Sequence, residues 1–216
     1  TFDACPNDQN TTAWSGVTTR LNYYAYYGQK KITNCNLQYP QSAQITIGNF
    51  ITAYARAYGM GITDSAGQGS GLQAWYGYNT SNTNPSTWTL WITATYNLDI
   101  TGYDEYKLDL GASLPDGIYY FTSRFQFSGG EYVYGGYSTN GGGIWDSVHN
   151  TSGYMRIYGL PLTPTLSAPT DNNEHQPSTP FLSWSAVSNA QTYRLQVSED
   201  SSFNSTFFDD SSIVTS

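Results

Sequence analysis

Hydrophobic and polar residues alternate along much of this 216-residue chain with the period of two that is typical of half-buried β-strands. The clearest example is the segment 104–136, in which three alternating stretches are separated by two turns. The apolar positions of these stretches are Tyr106, Leu108, Leu110, then Tyr119, Phe121, Phe125, Phe127, then Tyr132 and Tyr134. Leu114-Pro115-Asp116-Gly117 and Gly129-Gly130 supply the turns, because proline presets φ and glycine tolerates positive φ. A meander of this kind needs a second sheet over its aromatic face, so the pattern predicts a β-sandwich.

The same alternation predicts further strands on both sides of the meander. They are Val17 to Ala25, Ile51 to Ala57, Leu72 to Tyr78, Trp88 to Asn97, and a last strand around Tyr154, Arg156 and Tyr158. Gly67 to Gly71 is expected to be a flexible loop and not a phosphate cradle, because no Lys-Ser/Thr pair follows it. The overall expectation is an all-β chain of immunoglobulin-like or fibronectin-like β-sandwiches in tandem.

Four parts are predicted along the chain. Residues 1–34 form an N-terminal strand segment, and residues 35–160 form the main β-sandwich domain. Residues 161–165, which continue the proline-containing run Leu160-Pro161-Leu162-Thr163-Pro164, read as a stiff linker. Residues 166–216 form a partial domain, because they are too few for a complete sandwich of about seven strands.

Composition narrows the class of protein. Only 11% of the residues are charged, while the chain contains 20 tyrosines and 21 glycines, and this balance predicts an extracellular or cell-surface all-β protein. The formal net charge of −8 argues against nucleic acid, whose phosphates require Lys and Arg. No apolar run approaches the roughly 18 residues of a membrane span, so no membrane partner is expected. The polar start at Thr1 is expected to be a mature, processed N-terminus.

Cys5 and Cys35 are the two cysteines of the chain, and we predict that they form a disulfide. Closing a loop of this length stabilises a fold by roughly 3 kcal/mol on the chain-entropy model. The alternative is a pair of buried free thiols. Neither His149 nor His175 has a Cys or His neighbour at ligand spacing, so neither a metal nor another cofactor is expected.

No constellation of catalytic residues stands out, and no catalytic residue is predicted. Asp99, Asp104 and Glu105 lie around one turn, where a glycosidase-like carboxylate pair or a calcium site are the functional alternatives to a solvated turn. The solvated turn is the favoured interpretation. The many Ser, Thr and Tyr residues lack a general base with an orienting group, so the chain is not expected to be an enzyme.

Two tryptophans are candidates for stacking on sugar rings. Trp91 shares its parity with Thr89, Thr93 and Thr95, and Trp75 shares its parity with Gln73, so both are predicted on polar strand faces. The favoured alternative is that a second sheet or the N-terminal segment covers them. Four N-glycosylation sequons are predicted in loops or at strand ends, at Asn10, Asn79, Asn150 and Asn204, with Asn79 the preferred site.

A resemblance emerges from an ordered set of short motifs in residues 35–125. The set comprises Cys35-x-Leu37-x-x-Pro40, Tyr58-Gly59, Gly61-Ile62-Thr63, Gly69 to Gly77, Asn84-Pro85, Trp91, Ala94-x-Tyr96-Asn97, Asp104-Glu105-Tyr106 and Gly117-x-Tyr119-x-Phe121, with Arg124 in the following strand. It resembles a β-sandwich module of secreted multidomain bacterial proteins, among them starch-degrading enzymes and extracellular nucleases. The resemblance covers about 120 residues and implies a fold more than a function, because the module accompanies many activities.

The C-terminal part resembles a bacterial fibronectin type III domain. The residues that carry this resemblance are Leu166 to Thr170, Phe181, Trp184, Ser185, Val187, Ala190, Tyr193, Leu195, Val197, Ser202 and Phe203. The later strands of such a domain are absent from this sequence. Either downstream chain or another copy of the protein is expected to supply them.

Two functions of different classes compete at this point. The first is a non-catalytic structural subunit of a surface fibre or filament, whose partners are other copies of itself and which is expected to be glycosylated. The second is an accessory carbohydrate-binding module of a secreted glycoside hydrolase, whose partners are glycans. The missing half of the C-terminal domain favours the first, and the resemblance to modules of secreted enzymes favours the second.

Overall fold

The computed structural model describes residues 30–171 and 173–214, and this part of the chain is all-β, as the alternation predicts. It contains no α-helix, and a single 3-10 turn spans Pro85–Thr87. No helix within these ranges is long and apolar enough to cross a membrane. The strands are β1 Asn34–Tyr39, β2 Ser42–Thr46, β3 Ile51–Tyr58, β4 Leu72–Asn79, β5 Trp91–Thr93, β6 Thr95–Ile100, β7 Tyr103–Leu110, β8 Gly117–Phe127, β9 Val133–Gly136, β10 Gly143–Ile144, β11 Gly153–Tyr158, β12 Leu166–Ala168, β13 Ser183–Trp184, β14 Tyr193–Val197 and β15 Phe208–Ile213.

The first eleven strands form one hydrogen-bonded sheet in the order β2-β11-β8-β9-β1-β3-β7-β6. Strand β4 also pairs with β8, β5 pairs with β4, and β10 pairs with β9. Most of the described pairs are antiparallel, as between β4 and β8, where Leu72 lies opposite Phe127 and Asn79 opposite Tyr120. Strands β1 and β9 are parallel where Asn36 lies opposite Gly136.

This sheet folds back on itself, so that strands that are not sheet neighbours face each other across a core. The Tyr76 hydroxyl of β4 donates a hydrogen bond to the Tyr106 carbonyl oxygen of β7 at 3.0 Å. The Tyr106 ring also contacts Phe125 of β8 edge-on, with ring centroids 5.8 Å apart. Buried side chains between these layers come from β1, β3, β4, β7 and β8, and include Cys35, Leu37, Ala53, Ala55, Ala57, Leu72, Ala74, Tyr76, Tyr106, Phe121 and Phe125. In β3, β4, β7 and β8 the inward parity is therefore the apolar parity read from the sequence. In the third stretch of the meander that expectation is wrong, because Val133 lies opposite the buried Phe125, so Tyr132 and Tyr134 are on the outward parity.

One predicted strand is divided in two. The segment Trp88 to Asn97 reads as one strand, but the structure has β5 paired with β4 and β6 paired with β7. Between them, the Ala94 amide still donates to the Ala74 carbonyl oxygen at 2.9 Å. The chain changes pairing partner at this point and links the two layers.

The described part of the chain forms two compact units, of which the first comprises residues 30–42, 52–108 and 120–154 and the second residues 43–51, 109–119, 155–171 and 173–214. In the second unit the Ile47 amide donates to the Tyr158 carbonyl oxygen at 2.9 Å, and Met155 and Ile157 are buried. Asp116 accepts hydrogen bonds from the Gly159 amide and the Arg156 guanidinium, both at 2.7 Å. These bonds hold the end of β11 against the turn before β8. The boundaries drawn from the sequence at 34/35 and 160–166 stay predictions.

The C-terminal part of the second unit has two separate two-stranded sheets, β12-β13 and β14-β15. Trp184 and Tyr193 contact each other with ring centroids 5.7 Å apart, and Arg194 forms an ion pair with Asp209. Many apolar side chains nevertheless remain open to solvent. Phe181 is 79% exposed and Phe207 is 77% exposed.

Candidate functional site: an aromatic cluster around Arg124

Four neighbouring strands place aromatic side chains and one arginine on the outer face of the first unit. Trp75 of β4 lies opposite Arg124 of β8, which lies opposite Tyr134 of β9. On its other side Trp75 lies opposite Thr93 of β5. The residues that flank this row along the strands, such as Ala74 and Phe125, are buried in the core. Because successive side chains of a strand point to opposite faces, the row itself points outward.

Three rings surround the Arg124 guanidinium. Its central carbon is 4.1 Å from the Tyr132 ring centroid, 4.3 Å from that of Trp91 and 5.0 Å from that of Trp75. Each distance is within the roughly 6 Å over which a cation is attracted to an aromatic face. We call these four residues, together with Trp88 and Tyr134, the Arg124 cluster. Tyr134 contacts the Trp91 ring with centroids 5.7 Å apart.

Trp91 is fixed in place from several directions. Its indole N–H donates to the Trp88 carbonyl oxygen at 2.9 Å, and the two indole rings stack with centroids 6.0 Å apart. Gly77 lies opposite Trp91, and a Cβ at Gly77 would lie 2.8 Å from the indole. Only a residue without a side chain leaves room for the ring there. Trp91 therefore contacts both Trp88 and Arg124.

The Nε atoms of Arg124 and Arg56 are both buried and have no hydrogen-bond partner among the described residues. Burial lowers the pKa of the Arg124 guanidinium. Among the described residues the ion pairs of arginine are Arg156 with Asp116 and Arg194 with Asp209. Arg124 is held by rings in place of a carboxylate. Tyr134 interacts with the guanidinium and opposes the lowering of its pKa.

The two tryptophans predicted to stack on sugars are thus brought together, and both are partly exposed. Trp91, however, contacts both Arg124 and Trp88. Trp75 contacts Tyr132 edge-on, with centroids 5.8 Å apart, and Tyr132 is 42% exposed. The surface that the cluster offers to a ligand is therefore formed chiefly by Tyr132, the Trp75 ring and the guanidinium.

Sequence reasoning missed Arg124 as a member of this site, together with Trp88, Tyr132 and Tyr134. The cluster joins residues more than fifty positions apart on four strands, and a single sequence does not give strand register. The one feature of the sequence that points to the cluster is Arg124 itself, which lies on the parity of β8 opposite to the aromatic residues Phe121 and Phe125.

The carboxylates Asp99, Asp104 and Glu105 bind groups of the protein itself. Asp99 and Asp104 lie opposite each other on β6 and β7. Asp99 accepts from the Gly67 amide at 2.8 Å and the Tyr96 hydroxyl at 2.6 Å, while Asp104 accepts from the Gly69 amide at 2.7 Å. Both carboxylates therefore anchor the glycine-rich loop Gly67 to Gly71. Glu105 accepts from the Asn97 side-chain amide at 2.5 Å.

Asp104 and Asp99 differ in burial. Asp104 is 0% exposed, and its second oxygen has no hydrogen-bond partner, so burial raises the pKa of this carboxyl. The hydrogen bond from Tyr96, with that from Gly67, lowers the pKa of the exposed Asp99, and in turn raises the pKa of Tyr96 to about 12. In the described ranges no group of three or more His, Cys, Asp or Glu residues has the arrangement of a metal site.

Of the two cysteines in the predicted disulfide, the structure describes Cys35 but not Cys5. Cys35 lies in β1 with 0% exposure, and burial raises the pKa of its thiol well above the usual range. Cys35 is a free thiol with respect to the described residues, and Cys5 lies outside them. The pairing stays a prediction.

The sequon asparagines differ in accessibility, and Asn10 lies outside the described residues. Asn79, at the end of β4, is partly buried and donates to the Thr83 hydroxyl at 3.2 Å. Asn150 and Asn204 each donate a side-chain amide hydrogen bond to the aspartate four residues earlier. Asn150 donates to Asp146 at 3.2 Å, and Asn204 donates to Asp200 at 2.8 Å. The amides of Asn150, Val148 and His149 lower the pKa of Asp146 to about 2. Asn204 is the exposed member of the three.

No protein-family model matches this chain, and no curated protein matches it either. The resemblances to a secreted bacterial module and to fibronectin type III domains therefore stay predictions.

Proposed function

We propose that this chain is a non-catalytic, extracellular structural subunit of a surface fibre or filament built from β-sandwich domains of immunoglobulin-like and fibronectin-like type. The observation that carries the proposal is the exposed apolar surface of residues 161–214, where Phe181 and Phe207 are open to solvent beside two sheets of two strands each. Large apolar side chains left in solution mark surfaces that bind other protein chains. Two-stranded sheets are at best marginally stable alone and need further strands.

The missing strands would come from another copy of the chain. Strand β13 pairs with β12 and β14 pairs with β15, so each of these four strands has one edge without a strand partner in the described part of the chain. An incoming strand adds main-chain hydrogen bonds along such an edge and covers the apolar face with alternate side chains. The 11% charge content leaves few like charges to oppose this association.

The proposal is tested by sedimentation velocity of the purified chain over a concentration series. We expect wild type to form larger species as concentration rises, and Phe181→Lys and Phe207→Lys to stay monomeric. Because both phenylalanines are exposed in the single chain, these variants should unfold at the same temperature as the wild-type monomer. Met60→Lys is the matched control, since Met60 is 74% exposed but lies in the first unit. A wild-type chain that stays monomeric throughout, or variants that assemble normally, would contradict the proposal.

A second candidate is an accessory carbohydrate-binding module of a secreted glycoside hydrolase. The observation that favours it is the Arg124 cluster, where Tyr132 and Trp75 present partly exposed rings next to hydrogen-bond donors. Flat rings with a few polar groups suit a sugar, which has one apolar face and many hydroxyls. Binding of a polysaccharide by the monomer, lost in Tyr132→Ala, would support this candidate; monomer that binds no polysaccharide would exclude it.

A further inference from the structure

Arg156 and Arg194 each form an ion pair with an aspartate, whereas Arg124 contacts aromatic rings. Arg156 has a carboxylate oxygen of Asp116 at 2.7 Å, and Arg194 has one of Asp209 at 2.5 Å. Arg124 forms no ion pair with a described carboxylate, although the sequence has 16 acidic residues and only 8 basic ones. A guanidinium presents five N–H donors in a planar fork, and its strongest partner is an oxyanion that accepts two of them. The position therefore has donors to offer to an anion.

The surroundings of Arg124 strengthen its attraction for an anion relative to the same attraction in water. The side chain is partly buried, its Nε lacks a partner, and three rings hold the guanidinium plane in place. Interactions between charges are stronger where water is partly excluded. A guanidinium already fixed by packing also loses little freedom when a ligand binds.

The rings beside Arg124 add a second kind of recognition. Tyr132 is close to the guanidinium and is 42% exposed. The Trp75 ring contacts the Tyr132 ring edge-on. An exposed aromatic ring next to a fixed cation suits a ligand that has a flat apolar face and a carboxylate on one carbon. A hexuronic acid is such a ligand, because its C6 is a carboxylate bonded to ring atom C5.

We propose that the Arg124 cluster binds a carboxylate-bearing sugar of an acidic polysaccharide. The Arg124 guanidinium donates to the uronate oxygens, and Tyr132 with Trp75 contacts the sugar ring. This inference rests on the second candidate function, glycan binding, and specifies its ligand class. It is independent of whether the chain assembles.

Isothermal titration of the intact protein with an oligogalacturonate, and with a neutral maltooligosaccharide of the same length, tests the inference. We expect the acidic oligomer to bind more tightly, and its affinity to fall as salt is raised. Arg124→Gln should weaken that binding about tenfold or more, because a hydrogen bond between charged groups is lost. Arg56→Gln is the matched control, since Arg56 also lies over a tyrosine, Tyr103 at 4.5 Å, but belongs to β3.

The outcomes separate the inference from the candidate function on which it rests. Equal binding of both oligomers, unchanged by Arg124→Gln, overturns the inference but leaves a neutral-sugar module standing. Binding of neither oligomer overturns both. Equal losses in Arg124→Gln and Arg56→Gln would show a general charge effect and also overturn the site. Should Arg124→Gln fail to fold, Tyr132→Ala replaces it, because Tyr132 precedes β9 and is exposed; undiminished uronate binding by Tyr132→Ala then counts against the site.

Discussion

Asp99 and Asp104 face each other across two strands and anchor the same loop, yet they affect stability in opposite directions. Burial raises the pKa of Asp104, so the folded protein holds this proton more tightly than the unfolded chain does. Its contribution to stability is therefore present below about pH 3.9, the usual pKa of an unfolded aspartate, and is lost as pH rises through the folded pKa. Hydrogen bonds lower the pKa of Asp99, so its contribution is present above that pH and is lost as pH falls through the folded pKa.

Asp104→Asn should therefore raise the melting temperature at pH 7, because it removes a buried charge and keeps an oxygen that accepts from the Gly69 amide. A gain of about 1 kcal/mol corresponds to roughly 2–4 °C in a chain of this size. The gain should shrink toward pH 3, where the native carboxyl is also neutral. Thermal unfolding followed by circular dichroism over pH 3 to 8 measures it, and a fall in melting temperature at pH 7 would refute this view of Asp104.

Asp99→Asn is the paired experiment and should have the opposite sign. The neutral amide accepts hydrogen bonds from Tyr96 and the Gly67 amide less strongly than the carboxylate does. We expect a lower melting temperature at pH 7, with the difference disappearing in acid. The same pH series measures it, and a difference that grows in acid would contradict the assignment.

Gly77 gives the Trp91 ring its position at the Arg124 cluster. A methyl group at Gly77 would lie 2.8 Å from both the indole and the Leu90 carbonyl oxygen, so a strand or the ring must move. Gly77→Ala should destabilise the protein by about 1–3 kcal/mol, the usual cost of overpacking. Urea unfolding measures the loss, and intrinsic tryptophan fluorescence should shift as Trp91 leaves Arg124. Gly130→Ala is the control, since its closest contact would be 3.2 Å; equal losses in the two variants would argue against a special role for Gly77.

At the scale of elements, the sequence predicts strands well wherever one face is buried. Alternation identifies β3, β4, β7, β8 and β11, because apolar side chains point to the core at every second position over most of each strand. It does not identify the change of pairing partner at Ala94, since the residues on both sides of it are strand formers. It also misses the Arg124 cluster, because side-chain packing across β4, β5, β8 and β9 depends on register.

The isolated segment 161–216 tests the incompleteness of the C-terminal strands. Its two strand pairs leave Phe181 and Phe207 in water, so the fragment has too small a buried core to offset its conformational entropy. We expect no cooperative thermal transition by circular dichroism or calorimetry. The fragment 30–160, which contains most of the buried side chains, should melt cooperatively in the same buffer. A soluble monomeric 161–216 fragment with a sharp transition would show that no further strands are needed.

At the scale of the whole molecule, the sequence predicts the fold class and gives less information about function. The all-β architecture follows from composition and alternation, and the structure confirms it. Catalysis, by contrast, requires groups placed together by tertiary structure. In the described ranges the three predicted candidate carboxylates bind amides and hydroxyls of the chain itself, which accounts for their positions without a substrate. The interpretation as a structural subunit therefore depends on the apolar surface of residues 161–214.

Electron cryomicroscopy of the native particle tests this interpretation most directly. The account predicts filaments in which each copy receives a β-strand from a neighbouring copy along the open edge of β13 or β14, with side chains packed against Trp184 and Phe181. Single particles of one chain, or strands from the same chain's own sequence in that position, would contradict it.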